Sequence, residues 1–280
     1  MKIGIIGLGS MGQMLVAGFC KSEAVSPVDL IVYNRTREKA DQMRAAYGVT
    51  VASSAQEVGN GSDLLFVCTK PLDLIPLVKE LSLPARVHLV SVAAGVSIED
   101  LEAVHTGPVS KVIPTVTSQE LRGVSLYTCS SRCNGEQQKQ VASLLSSIGV
   151  AQEISEQEIE TATILTSSGP GLLAGIMESF AQAAVRKSPG LPLDTARKML
   201  VETMLGTAKL LQAEQLGFDQ LIDRVATKGG ITEEGLRVLE KRLPAGFDEL
   251  FDMTESKHHL LKERVKQQFS NEDRQGEEKL

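Results

Sequence analysis

The residues whose types and spacing could do chemistry begin at the amino terminus. Lys2-Ile3-Gly4-Ile5-Ile6 is a short apolar run ending in Gly7-Leu8-Gly9-Ser10-Met11-Gly12, and an amphipathic run from Met14 to Lys21 follows at once. That order is a buried strand, a tight turn and a helix N-terminus. Gly7 permits the turn, Gly9 lets backbone amides approach a pyrophosphate, and Gly12 lets helix and strand pack closely. Ser10 and Met11 open the helix, whose unpaired N–H groups and positive dipole end favour an anion. A G-x-G-x-x-G by itself is weak evidence. Here a second apolar run, Asp29-Leu30-Ile31-Val32-Tyr33, comes at the distance a dinucleotide-binding βαβ unit requires.

The second run ends in Asn34-Arg35-Thr36-Arg37, where a site for NAD ordinarily carries an acid for the ribose 2′-OH. No acid stands there. Asn34, Arg35 and Thr36 suit an extra 2′-phosphate, and Arg binds phosphate through a forked donor pair. The plainer alternative makes Arg35 and Arg37 solvated first-turn residues of the next helix. Cations at a helix N-terminus are unfavourable without an anion, so the expectation is NADP(H).

Two further strand ends join this set. Leu64-Leu65-Phe66-Val67-Cys68 is a continuous apolar run, as in a strand covered on both faces, and it ends in Thr69-Lys70-Pro71. Val87 to Val92 is followed by Ala93-Ala94-Gly95. Ligands of open α/β sheets lie beyond the carboxyl ends of the strands. Thr69, Lys70 and Pro71 are therefore candidate cofactor contacts, and Ala94 and Gly95 are small enough for a flat nicotinamide ring to approach.

The elements that must position these residues follow from the pattern. A helix is expected from Arg37 to Tyr47, with strands at Val49–Val51, Val109–Ile113, Val124–Thr128 and Val150–Glu153 and a helix near Glu136–Ser147. Pro114 breaks the chain between two of them. After about Glu156 strands stop. Gly169 to Arg186, Leu193 to Glu214 and Phe247 to Lys266 carry apolar residues at helical spacing. The expectation is α/β: a doubly wound, mostly parallel Rossmann domain over 1–155, then an all-α domain over 156–268. The polar stretch 269–280 reads as a frayed tail.

Bulk properties exclude several classes. The 280 residues suit two domains, with 42% apolar and 23% charged residues and a net charge of −6. An acidic balance disfavours nucleic acid or an anionic membrane as partner. No apolar run approaches the ~20 residues of a membrane span, and the glycines near Lys2 argue against a secretory leader, so a cytoplasmic protein is expected. Cys20, Cys68, Cys129 and Cys133 read as free thiols, and none of the four histidines supports a metal site.

In this order the segments resemble the Δ1-pyrroline-5-carboxylate reductases from Met1 to about residue 265. Gly7-Leu8-Gly9-Ser10-Met11-Gly12 is similar to that family's dinucleotide turn. Val67-Cys68-Thr69-Lys70-Pro71 resembles its A-V-K-P segment, and Ser91-Val92-Ala93-Ala94-Gly95-Val96 its S-x-A-A-G-I/V segment. Ser168-Gly169-Pro170-Gly171 and Val225-Ala226-Thr227-Lys228-Gly229-Gly230-Ile231-Thr232 are similar to its S-G-S-G-P-A-Y and V-x-S-P-G-G-x-T stretches. The resemblance implies NADPH in a Rossmann domain, a helical domain through which two subunits dimerise and from which larger rings can grow, and hydride transfer to the C=N carbon of a cyclic imine to give proline. The substrate would lie near Gly229–Thr232, with Ser168 and Lys228 as further contacts. Gly229 and Gly230 would offer N–H groups to its carboxylate. The Thr232 hydroxyl would bond the imine nitrogen, although Thr232 is as well suited to capping the next helix.

The departures from the family pattern concern the reaction. The Asn of M-P-N-T-P is Thr115, the Tyr of S-G-S-G-P-A-Y is Leu172, and Lys228 replaces a Pro. Glu233 and Glu234 replace an apolar–small pair. At an effective dielectric near 20, a like charge ~6 Å from a substrate carboxylate costs about 2–3 kcal/mol, which Lys228 could offset. This combination resembles the late-competence proteins that Bacillus-type bacteria carry beside their main reductases. The alternative is therefore a non-catalytic, NADP-binding regulatory paralogue. A β-hydroxyacid dehydrogenase is a third reading, weakened because the helix after Gly171 lacks an acid–base Lys in its first turns.

Overall fold

A computed structural model describes the backbone of residues 1–277 and the side chains of residues 1–268. Eight strands form one sheet: β1 (Ile3–Ile6), β2 (Leu30–Tyr33), β3 (Thr50–Val51), β4 (Leu64–Val67), β5 (His88–Ser91), β6 (Val109–Ile113), β7 (Gly123–Cys129) and β8 (Gly149–Glu153). Between and after them come the helices α1 (Ser10–Lys21), α2 (Arg37–Tyr47), α3 (Ala55–Gly61), α4 (Pro71–Glu80), α5 (Ile98–Val104), α6 (Gly135–Ser146) and α7 (Ile159–Thr166). The chain ends in α8 (Gly169–Lys187), α9 (Leu193–Glu214), α10 (Phe218–Val225) and α11 (Ile231–Glu277).

The strand order is β3-β2-β1-β4-β5-β6-β7-β8, and only the β6–β7 pairing is antiparallel. The chain winds outward from β1 to β3, returns to the other side of β1 and continues to β6. The crevice at that reversal is where doubly wound sheets take ligands.

Strand alternation sorts the core into two faces. Leu64 and Phe66 pack with Met14, Leu15 and Phe19 of α1 and Val141 and Leu144 of α6. Leu65 and Val67 pack on the opposite face with Leu74, Ile75 and Val78 of α4, Leu101 of α5 and Val265 of α11. β4 is therefore apolar at every position because both its faces are covered. Phe19 and Phe66 meet with ring centroids 5.8 Å apart.

By contacts the chain forms two compact units: Met1–Gly169 with the chain from Thr254 onward, and Pro170–Met253. This differs from a division at residue 155. Ile159 of α7 packs with Ile113 and Leu126, and Val265 of α11 joins the sheet's core, so apolar burial rather than helix content assigns these segments. Within the first unit, Thr161 donates to Glu255 at 2.9 Å, and Lys262 pairs with Glu160 at 2.5 Å.

The carboxy-terminal helix expected at Phe247–Lys266 is longer than the sequence pattern indicates. α11 is continuous from Ile231 through Pro244. A proline removes one ladder donor and crowds one carbonyl, and the rest of a long helix keeps its bonds. α11 also enters the stretch expected to fray, and residues 278–280 lie outside the described residues.

Candidate active site

The glycine turn is built by close approach. Gly7 has φ +96°, and its N–H donates to the Tyr33 carbonyl at 2.9 Å. A Cβ on Gly12 would lie 2.0 Å from the Gly7 carbonyl oxygen, so helix and turn meet backbone to backbone. At Gly9 the reverse holds, with no atom within 4 Å of where a Cβ would stand. α1 opens there with no side-chain cap and no acid in its first turn. Ser10 and Met11 thus begin a helix whose positive end faces an open approach, as pyrophosphate requires.

One side chain holds the turn to the end of β2, and a second braces it from α1. Asn34 Oδ1 accepts from the Leu8 N–H at 2.8 Å, and its Nδ2 donates to the Thr36 carbonyl at 2.9 Å. Gln13, which the sequence did not single out, donates to the Leu8 carbonyl at 2.9 Å. Asn34 therefore positions the turn, whatever else it touches. The two arginines separate: Arg37 donates to the Ala52 carbonyl at 3.1 Å and lies 3.4 Å from Asp41, while Arg35 is exposed beside exposed Thr36.

Thr69 stands directly beside Gly7, since a Cβ on Gly7 would lie 3.2 Å from the Thr69 nitrogen. Its Oγ1 is buried and has no hydrogen-bond partner. Leaving a buried hydroxyl unmade costs about 1–3 kcal/mol, so this atom fits the polar edge of a ligand. Lys70 is the exposed N-cap of α4, and Pro71 is its first residue. At the next strand end Ala94 is half-buried, and Gly95 has φ +81°. A Cβ on Gly95 would lie 3.1 Å from Leu261 Cγ, so its missing side chain makes room for α11 rather than for a ring alone.

The loop before α11 belongs to the second unit. Gly229 donates its N–H to Glu233 at 2.5 Å, and Gly230 donates to the Thr227 carbonyl at 2.8 Å. Both glycine amides proposed for a substrate carboxylate are thus engaged within the loop. Thr232 is an exposed residue inside the first turn of α11, which corrects its reading as an N-cap: α11 begins at Ile231, one residue earlier. Arg237, unremarked in the sequence, lies 3.2 Å from Glu233 and 2.7 Å from Glu234. It provides the neutralising charge expected of Lys228, which is exposed. Ser168 lies in the first unit, exposed, its N–H on the Thr163 carbonyl at 3.0 Å.

Two family models match the chain. Residues 2–95 match one described as NADP oxidoreductase coenzyme F420-dependent, and residues 156–260 one described as pyrroline-5-carboxylate reductase dimerisation. Pyrroline-5-carboxylate reductase 3 of Bacillus subtilis (strain 168) is 36% identical over 270 residues, covering 95% of this chain and 99% of that one. The chain belongs to the pyrroline-5-carboxylate reductase family. ComE operon protein 4 of the same organism is 33% identical over 272 residues, 96% of this chain and 99% of its own. A crystal structure of 1-pyrroline-5-carboxylate reductase from Streptococcus pyogenes superposes with a TM-score of 0.80 at 28% identity, covering 92% of this chain and 98% of that one. The mostly parallel sheet with a carboxy-terminal helical region is thus the reductase family's architecture. Among the described residues no helix is long and apolar enough to cross a membrane.

Proposed function

We propose that this chain reduces the C=N bond of a cyclic imine with NADPH, taking pyrroline-5-carboxylate or a close relative to proline or its analogue. The observation that carries this reading is a full-length relationship to a named pyrroline-5-carboxylate reductase, joined to a dinucleotide turn in which close backbone approach requires Gly7 and Gly12 and the chain stands open at Gly9. NADPH, when bound, supplies the hydride. The chain's own part is to bind and align. The amides opening α1 receive the pyrophosphate, Arg35 and Thr36 the 2′-phosphate, and the Thr69 hydroxyl the cofactor's polar edge. A protonated imine is already electrophilic, so alignment is most of the remaining work. Thr232 bonds the imine nitrogen and fixes the face that receives hydride. Residues 228–230 take the carboxylate, which requires Glu233 to release the Gly229 amide. The active form is a homodimer through the helical domain, working in the cytoplasm on a small molecule and not on nucleic acid.

One observation favours a second reading. The loop that should receive a carboxylate already holds Glu233, clamped by Arg237, and one relative is named for a competence operon. A regulator that binds NADP(H) without turnover fits both facts. The two readings separate in one experiment: the purified full chain with NADPH and pyrroline-5-carboxylate, followed at 340 nm, with NADPH binding measured in parallel. Turnover is the expected result. Tight binding with no turnover on pyrroline-5-carboxylate or 1-pyrroline would establish the regulator instead.

A further inference from the structure

At the end of the sheet opposite the glycine turn, the ends of β5, β6 and β7 gather a thiol pair and a histidine. His88 opens β5 and is 2% exposed, and Ser110 of β6 is fully buried. Cys133, 6% exposed, follows the turn after β7, its N–H donating to the Ser130 carbonyl at 3.0 Å. The Cys133 sulfur lies 3.5 Å from His88 Nε2 and donates to the Val109 carbonyl at 3.2 Å. Ser110 Oγ bridges the group, 2.8 Å from His88 Nε2 and 3.8 Å from the sulfur. His88 Nδ1 is buried without a hydrogen-bond partner. Cys129, the last residue of β7, stands opposite Ser110 in the β6–β7 register, and the same Ser110 hydroxyl reaches the Cys133 sulfur. Cys129 is half-buried and lies beyond Tyr127, the last β7 residue in register with β8.

The four thiols are free but not equivalent. Burial pushes Cys68 up to about 12 and raises Cys20. The neighbouring Cys129 thiol holds Cys133 well below the usual thiol range, with His88 and Ser110 acting in the same direction against burial. A thiol that gives up its proton readily, beside a histidine and a second thiol, is the arrangement that reacts with small oxidants. Among the described residues no group of three or more His, Cys, Asp or Glu could hold a metal.

We propose that Cys133 and Cys129 form a peroxide-oxidisable pair, with Cys133 the attacking thiol, His88 its base and Cys129 the resolving thiol. Cys133 Sγ attacks one peroxide oxygen as His88 Nε2 takes its proton. The O–O bond breaks, the S–O bond of a sulfenic acid forms, and the departing hydroxide leaves as water with that proton. Cys129 Sγ then attacks the Cys133 sulfur. The S–O bond breaks, S–S forms, and hydroxide leaves as a second water with the Cys129 proton. Two thiols are oxidised to one disulfide, and one peroxide is reduced to two waters.

The test is thiol mapping on the native full chain with a few equivalents of hydrogen peroxide, followed by alkylation and trypsin. Cleavage after Arg132 separates the two cysteines, so the disulfide appears as peptides 123–132 and 133–139 joined. That product should form about tenfold faster than Cys20 or Cys68 is lost, and the preference should vanish in urea. Cys129→Ser should stop at a dimedone-trappable sulfenic acid on Cys133. Cys133→Ser should leave Cys129 reduced, and His88→Gln should slow the reaction severalfold. Earlier loss of Cys20 or Cys68, equal selectivity in urea, or Cys129 oxidising at the native rate in Cys133→Ser would each overturn the pair.

Discussion

Arg35 and Arg37 are the same residue type two positions apart, and their surroundings give them different work. Arg37 is spent on the Ala52 carbonyl and Asp41, while Arg35 stands exposed at the end of β2. Only Arg35 is available to a 2′-phosphate. A charge-assisted pair contributes about 1.5–3 kcal/mol, so Arg35→Ala should raise the Kd for NADPH about tenfold or more and leave NADH within twofold. Calorimetry with both nucleotides checks this; equal loss would mean the exposed arginine does not read the phosphate. Glu233 raises a different question, because it already occupies an amide proposed for substrate. If substrate carboxylate competes for it, Glu233→Ala should lower KM for pyrroline-5-carboxylate several-fold with kcat nearly unchanged. If the Thr232 hydroxyl acts on the imine, Thr232→Ala should do the opposite, cutting kcat about tenfold without weakening NADPH. Neither the Glu233 bond nor its clamp by Arg237 was legible in the sequence. Two acids near a carboxylate site read there as repulsion, and only the folded loop shows what they bind.

α1 and the turn before it were legible because their determinants are local: three glycines at fixed offsets and an apolar period. The structure adds the reason for the third glycine. With a Cβ 2.0 Å from the Gly7 oxygen, Gly12→Ala must push helix from turn. That should cost about 1–3 kcal/mol and weaken NADPH binding in the same protein, as thermal unfolding and nucleotide titration would show. α5 was not assigned from its sequence, and its end carries a pH dependence. His105, its C-cap, is 4% exposed and bonds the Val87 carbonyl at 2.8 Å through Nε2. Burial lowers its pKa below the ordinary 6.5. The unfolded chain therefore binds a proton in a range where the fold does not. Stability is lost as pH falls below about 6.5, by up to 1.4 kcal/mol per pH unit from this group. Urea midpoints between pH 7.5 and 5.5 should fall steeply for the native protein and more gently for His105→Gln. The His88–Cys133 contact was likewise illegible: its partners lie 45 positions apart and meet only through the β5–β6–β7 pairing.

The two units bury their apolar residues very differently, and this bears on the molecule that works in solution. The first has two dense faces about its sheet. In Pro170–Met253 the only buried apolar residues are Ala181 and Ala196, while Phe180, Phe218 and Ile231 are 60%, 79% and 95% exposed. Helical spacing in the sequence announced amphipathic α8 and α9 but not what covers them. Apolar helices this exposed have no core of their own, and soluble monomers rarely show such patches. The unit needs a partner of equal character, and a second copy presents the same surface, as a two-fold dimer requires. This is the region matched by the dimerisation model. Light scattering at micromolar concentration should therefore give at least two 30.1 kDa chains, about 60 kDa. Pairing Leu173→Asp with Phe180→Asp places charges where each apolar side chain would otherwise be buried at a gain of about 1.5–3 kcal/mol. The variant should shift toward the single-chain mass and melt at lower temperature, and its turnover should fall with its dimer fraction. A variant that stayed dimeric and active would place the subunit contact on another face of the helical unit.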